Sequence, residues 1–126
     1  KVIRGATTTS FLNAVKLDHA VWKNEVYKLI EKNKFDTVLN THSECRLGHW
    51  YFEGYGSSHF SHLKSFQDIN QPHKAVHDSG RAALLAASTR DYRKMVQHLD
   101  SMEKASIKVV SQLDLLVSEV VDSVMK

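Results

Sequence analysis

A chain with one cysteine cannot close an internal disulfide, so nothing in it favours an oxidising compartment. A single proline and five glycines leave few obligatory breaks, and β-branched runs are short, which tilts the balance towards helix. No stretch approaches the roughly 18 uninterrupted apolar residues of a membrane span, and the N-terminus carries no signal-peptide core. The expected compartment is the cytoplasm, with no membrane contact by this domain. An excess of charge is missing too: the formal net charge is +3, and the basic residues are neither gathered into a stripe nor interleaved with aromatics, so nucleic acid is not an expected partner. Absent as well are a His-Glu-x-x-His helix, a glycine-rich phosphate loop and a Gly-x-Ser-x-Gly elbow, which leaves catalysis without a foothold.

What the sequence has in quantity is histidine, with eight in 126 residues. The length suits one domain with a core of its own. Lys1 to Thr7 lacks periodicity and reads, out to residue 9, as a connector from a longer protein. Helix is expected from Ser10, with Thr9 or Ser10 as N-cap. Leu12, Val15, His19, Trp22, Val26 and Leu29 then recur three and four apart, as on the inward stripe of a bundle helix. The pattern fades over Lys32 to Lys34.

Asp36 or Thr37 can cap a short second helix running through Cys45, with Cys45, Gly48 and Phe52 on one face. Gly48 there suggests close approach by a neighbouring helix. The run from Gly54 to Ser58 is the strongest break, after which Ser57 or Ser58 caps a piece from His59 to about Gln67. Asn70-Gln71-Pro72 is a good helix start, and the face of His73 and His77 continues through Gly80, Leu84 and Ala87. Ser88 to Asp91 interrupts the pattern. A last long helix carries Met95, Leu99, Met102, Val109, Leu113, Leu116, Val120 and Val124. The fold expected is all-α, an antiparallel four-helix bundle with a short, broken second element.

His73 and His77, four apart, share a helix face. With the phased His19 and the lone Cys45 they make a donor set that suits tetrahedral zinc, and a metal would satisfy polar groups in an otherwise apolar interior. The same residues admit plainer readings: paired histidines occur on solvated faces, a buried cysteine behaves as a small hydrophobe, and a core histidine can bond to a neighbour. His42, His49, His59, His62 and His98 fall outside the set. His59 and His62 form the best rival pair and are expected on the surface. Trp22 would wall the site, while Trp50 and Tyr51 suit the core. Asp18 and Asp78 adjoin proposed ligands but point elsewhere on a helix, and are expected in solvent, as is Asp100.

His19 with Trp22, the string Cys45-Arg-Leu-Gly-His-Trp-Tyr51 and Pro72-His-x-x-x-His77 together resemble the chemoreceptor zinc-binding domain of bacteria over nearly the whole chain. The resemblance implies a zinc site of His19, Cys45, His73 and His77 in a helical bundle that forms a homodimer. It also implies a cytoplasmic regulatory domain attached to the helical hairpin of a chemotaxis receptor or, less often, to a diguanylate cyclase. A closed four-ligand site leaves no open position for a substrate, which argues against a zinc hydrolase. Cys45 as a zinc-held thiolate would instead serve as a redox switch for oxidants such as hypochlorous acid, which receptors of this family are associated with sensing. The alternatives are sensing of zinc itself through occupancy, and a purely structural zinc in a dimerisation module.

Overall fold

The computed structural model describes the backbone of residues 2–125 and the side chains of residues 6–122. It is all-helical among those residues: α1 Val2–Glu31, α2 Arg46–Phe52, α3 Tyr55–Phe60, α4 Lys64–Gln67, α5 Asn70–Ser88 and α6 Tyr92–Met125. Lys16 pairs with Asp114, and Lys23 with Glu103 at 2.8 Å, so α1 and α6 run in opposite directions. His19 meets His77 and Trp22 meets Gly80, so α1 and α5 run the same way. The short helices α2 to α4 supply the descending second arm of an antiparallel four-helix bundle.

The inward stripes are those the spacing predicts. Leu12, Val15, Val26 and Leu29 of α1 are buried with Val76 and Leu84 of α5 and Met102, Val109, Leu113, Leu116 and Val120 of α6. Met95 and Leu99 are half-buried, and the side chain of Val124 lies outside the described residues. No helix among the described residues is long and apolar enough to cross a membrane.

Two long helices end in the same way. After α1, Asn33 takes a left-handed conformation (φ 55°), the Lys34 N–H bonds the Leu29 carbonyl and the Asn33 N–H bonds that of Ile30. After α5, Arg90 does so (φ 62°), with Asp91 bonded to Ala86 and Arg90 to Ala87. Both are Schellman terminations, which satisfy the last carbonyls and turn the chain sharply.

Several sequence expectations change. Helix α1 begins at Val2, so residues 2–9 are helical although their sequence carries no helical period. Gly5 and three threonines are poor helix formers, but Thr8 is buried and Phe11 stacks on Trp50 at 5.4 Å, so packing outweighs propensity. The short helix expected from Asp36 or Thr37 through Cys45 to Phe52 forms only in its last part, as α2 after Cys45. Residues 32–45 are turns and extended chain, and Cys45 is the N-cap of α2 (φ −80°, ψ 169°). Backbone groups in this segment are spent elsewhere, the Asn40 carbonyl on His77 and the Thr41 N–H on Glu44. Phe52 is turned outward and 45% exposed, off the Cys45–Gly48 face. Helix α3 starts at Tyr55 behind Gly54, not at a cap on Ser57 or Ser58, and an extended Leu63 splits the piece expected from His59 to Gln67 into α3 and α4. An aromatic layer holds these short helices together: Trp50 lies 6.0 Å from Phe60 and 5.8 Å from Phe66, while Tyr51 stacks on Phe66 at 4.1 Å.

Candidate metal centre

His19 projects from the middle of α1, and His73 and His77 from the opening turns of α5, all three inside the bundle at 7%, 1% and 0% exposure. Cys45 enters from the start of α2 and is only half-buried. One donor atom from each of the four residues comes within 4.8 Å of the other three. Cys45 Sγ lies 3.2 Å from His73 Nε2, and the histidine rings pack edge-on with centroids 4.9 to 5.7 Å apart.

The orientation of the rings is set by the backbone. His19 Nδ1 bonds the Val15 carbonyl at 3.1 Å and His77 Nδ1 bonds the Asn40 carbonyl at 3.1 Å. A carbonyl only accepts, so Nδ1 carries the proton in both and Nε2 keeps its lone pair. Both Nε2 atoms are buried and have no hydrogen-bond partner. Two orphaned acceptors aimed at one point beside a third imidazole and a sulfur would be costly if nothing filled the space between them.

Charge behaves accordingly. Burial lowers all three imidazoles, His19 despite its bond to Val15, His77 to about 4 despite its bond to Asn40, and His73 to about 2 with its histidine neighbours adding to the effect. Burial also raises the Cys45 thiol, against the pull of the backbone N–H groups at the start of α2. The protein by itself thus favours three neutral imidazoles and a protonated thiol. A divalent cation suits the former and would convert the latter to thiolate. Imidazole nitrogens and one thiolate are a zinc donor set, and tetrahedral zinc would hold such donors about 3.3 to 3.5 Å apart, so separations of up to 4.8 Å would close by about 1.5 Å at most.

Trp22 forms one wall, its ring 4.3 Å from that of His77. It can lie there because α5 carries Gly80: a Cβ at that position would sit 2.5 Å from the Trp22 ring. Gly48 has a comparable role on the opposite side. A Cβ there would meet the His42 carbonyl oxygen at 2.1 Å, so the close approach is by the loop leading into α2, not by a neighbouring helix. A cavity of about 280 Å³ opens beside the site, lined in part by His19, Cys45 and His77 and at its rim by Asp18, Glu44 and Arg46.

The profile of the chemoreceptor zinc-binding domain family matches residues 19–84, which include all four of these side chains. The chain belongs to that family. Its members are regulatory or sensory domains of chemoreceptor chains, not an enzyme class. No curated protein and no solved structure matches the chain. Within this zinc-binding domain the remaining acidic candidates are engaged by basic side chains. Asp18 receives two bonds from Arg46 at 2.8 and 3.0 Å, Asp78 pairs with Lys74 and Asp100 with Lys104. The rings are steered by Val15 and Asn40 carbonyls, which no side-chain pattern discloses. His59 and His62 are exposed, and His59 stacks on Tyr55. His42, set aside on sequence, has its ring 5.6 Å from that of His73.

Proposed function

We propose that this domain is the zinc-holding redox switch of a cytoplasmic bacterial chemoreceptor, with His19, Cys45, His73 and His77 as the four ligands and Cys45 as the reacting group. The observation that carries the reading is an asymmetry among the donors. Three are buried on long, well-packed helices, and the fourth, a sulfur, is half-buried at the tip of a seven-residue helix that follows fourteen residues of non-helical chain. The ligand easiest to reach is therefore the one chemically easiest to oxidise.

Zinc, when bound, supplies the positive charge that keeps Cys45 as thiolate. The thiolate sulfur attacks hypochlorous acid, and the net change converts the thiolate and HOCl to a sulfenic acid and chloride: sulfur loses two electrons, chlorine gains them, and oxygen and its proton end on sulfur. A sulfenic sulfur is a poorer donor than a thiolate. Helix α2 then loses its strongest tie to α1 and α5, keeping the Arg46–Asp18 pair, which is half-exposed and weak, and its aromatic contacts. A shift of α2 is carried through the aromatic layer to α4, which packs on α6, and along α6 to the attached signalling hairpin. Exposed Leu17 and Val21 on α1 and Ile107 on α6 offer apolar surface for the expected homodimer.

Titrating the zinc-loaded protein with hypochlorous acid, while following zinc release and the mass of Cys45, tests the reading. One oxygen added at Cys45 together with weakened zinc binding is expected. A Cys45→Ser protein that retains zinc and still responds would refute it. Sensing of zinc through occupancy, in a receptor or a diguanylate cyclase, predicts a response to chelator and none to oxidant at saturating zinc. A purely structural zinc predicts a response to neither.

A further inference from the structure

The ring of His42 belongs to no part of the switch just described, yet it borders the metal centre. Its centroid is 5.6 Å from that of His73, within the 4.9 to 5.7 Å that separate His19, His73 and His77 from one another. It reaches the centre from the same short stretch as Cys45, three residues upstream, and the Cys45 thiol donates to the His42 carbonyl at 3.6 Å. The backbone is fixed there, because that carbonyl fills the space over Gly48 where a Cβ would lie. The ring itself has no hydrogen bond among the described residues and rests edge-on against Phe52 at 5.5 Å, so rotation about its side-chain bonds breaks no polar contact. By contrast His49 and His59 each have a ring nitrogen engaged, with Glu53 and the Tyr55 carbonyl.

We infer that His42 is a reserve metal ligand, which takes the fourth position with an imidazole nitrogen when the Cys45 sulfur is lost from it. Zinc accepts four imidazoles as readily in kind as three and a thiolate, so the exchange keeps the coordination number while removing the sulfur and its negative charge. The consequence is that loss of the sulfur does not empty the site. The His42 ring turns in beside His73 about its side-chain bonds, and α2, no longer tied through the sulfur, is released with the metal still held by α1 and α5. This rests on the metal-site reading above, but not on which oxidant acts.

The test uses the whole domain, stripped of metal and reloaded with zinc or with cobalt(II) as a spectroscopic substitute, in four forms: unaltered, His42→Ala, Cys45→Ala, and the double variant. Competition with a chromogenic chelator should place His42→Ala within about threefold of the unaltered protein. Cys45→Ala should bind about tenfold or more weakly, and adding His42→Ala should cost about another tenfold. Cobalt in Cys45→Ala should keep the intense visible bands of four-coordination while losing the sulfur charge-transfer band, and the double variant should lose the visible intensity as well. Equal affinities and equal cobalt spectra for Cys45→Ala and the double variant would overturn the inference. So would a His42→Ala loss as large as that of Cys45→Ala. An unaltered protein that takes up no zinc would instead overturn the metal-site reading, and this inference with it. Should Cys45→Ala fail to fold, the comparison is made on oxidised protein: zinc kept by the His42-containing chain and released by His42→Ala supports the reserve role, and equal release contradicts it.

Discussion

A buried imidazole that refuses a proton leaves a mark on stability. In the metal-free protein His77 protonates only near 4 and His73 near 2, because burial disfavours the cation. The unfolded chain takes up those protons at the ordinary histidine value of about 6.5. Below that pH the unfolded state binds more protons than the folded one, so stability must fall as pH falls, and the loss continues until the folded histidines protonate in turn. Urea midpoints of the metal-free domain should accordingly decline between pH 7 and pH 4.5, and a flat profile would contradict the burial of these rings. The Lys23–Glu103–Tyr27 cluster adds a smaller effect of the same direction. Burial would raise Glu103, but the bonds from Lys23 and Tyr27 outweigh it and hold the carboxyl low. Glu103→Gln should thus cost up to about 1 kcal/mol at neutral pH, with the difference vanishing in acid, by paired denaturation curves. At this scale the sequence was informative where helix phase decides. His19 lies on the stripe of Leu12, Val15 and Val26, and His73 and His77 share a face. It was silent on Asn40, Val15 and His42, whose parts depend on the path of the backbone.

Among the elements, α2 is the one whose position decides the chemistry, and Gly48 is what lets its first turn lie under the loop. Gly48→Ala would drive a methyl group into the His42 carbonyl, a backbone atom with no freedom to yield without moving Cys45. The expected result is a zinc affinity lower by about tenfold or more with the helical content of α1, α5 and α6 retained, read by chelator competition and circular dichroism. Unchanged affinity would mean that the loop is not the support of the cysteine. Arg90 offers the opposite case. It sits in a left-handed conformation between α5 and α6, where glycine carries no Cβ penalty, so Arg90→Gly should stabilise the domain by about 1 kcal/mol in thermal or urea unfolding. The long helices α5 and α6 were legible because their periodicity is long and their breaks are marked by Pro72 and by Ser88 to Asp91. The stretch from Thr37 to Gln67 was not, since its helices are a few residues each and are fixed by Trp50, Tyr51, Phe60 and Phe66 packing across turns, which leaves no period to read. The start of α1 was hidden for a related reason: Thr8 and Phe11 earn their places by contacts with distant residues.

The whole molecule is a bundle with three continuous helices and one arm in pieces, and the metal centre joins the continuous part to the broken one. Removing zinc should leave the α5–α6 pair standing, since these two helices pack on each other more extensively than any other pair and no ligand lies on α6. Hydrogen exchange should quicken first in α2 and in residues 32–45, while the middle of α6 stays protected. Uniform quickening over all helices would show that the arm is not a separate unit. The fold class was readable from composition and stripe spacing together, and the family from the motif around Cys45, because both depend on local order along the chain. All of this turns on four side chains sharing one ion, and zinc K-edge X-ray absorption of the loaded domain reads that directly. Three nitrogen scatterers at about 2.0 Å and one sulfur at about 2.3 Å are the predicted shell. A shell without sulfur, or one filled out by oxygen, would contradict it.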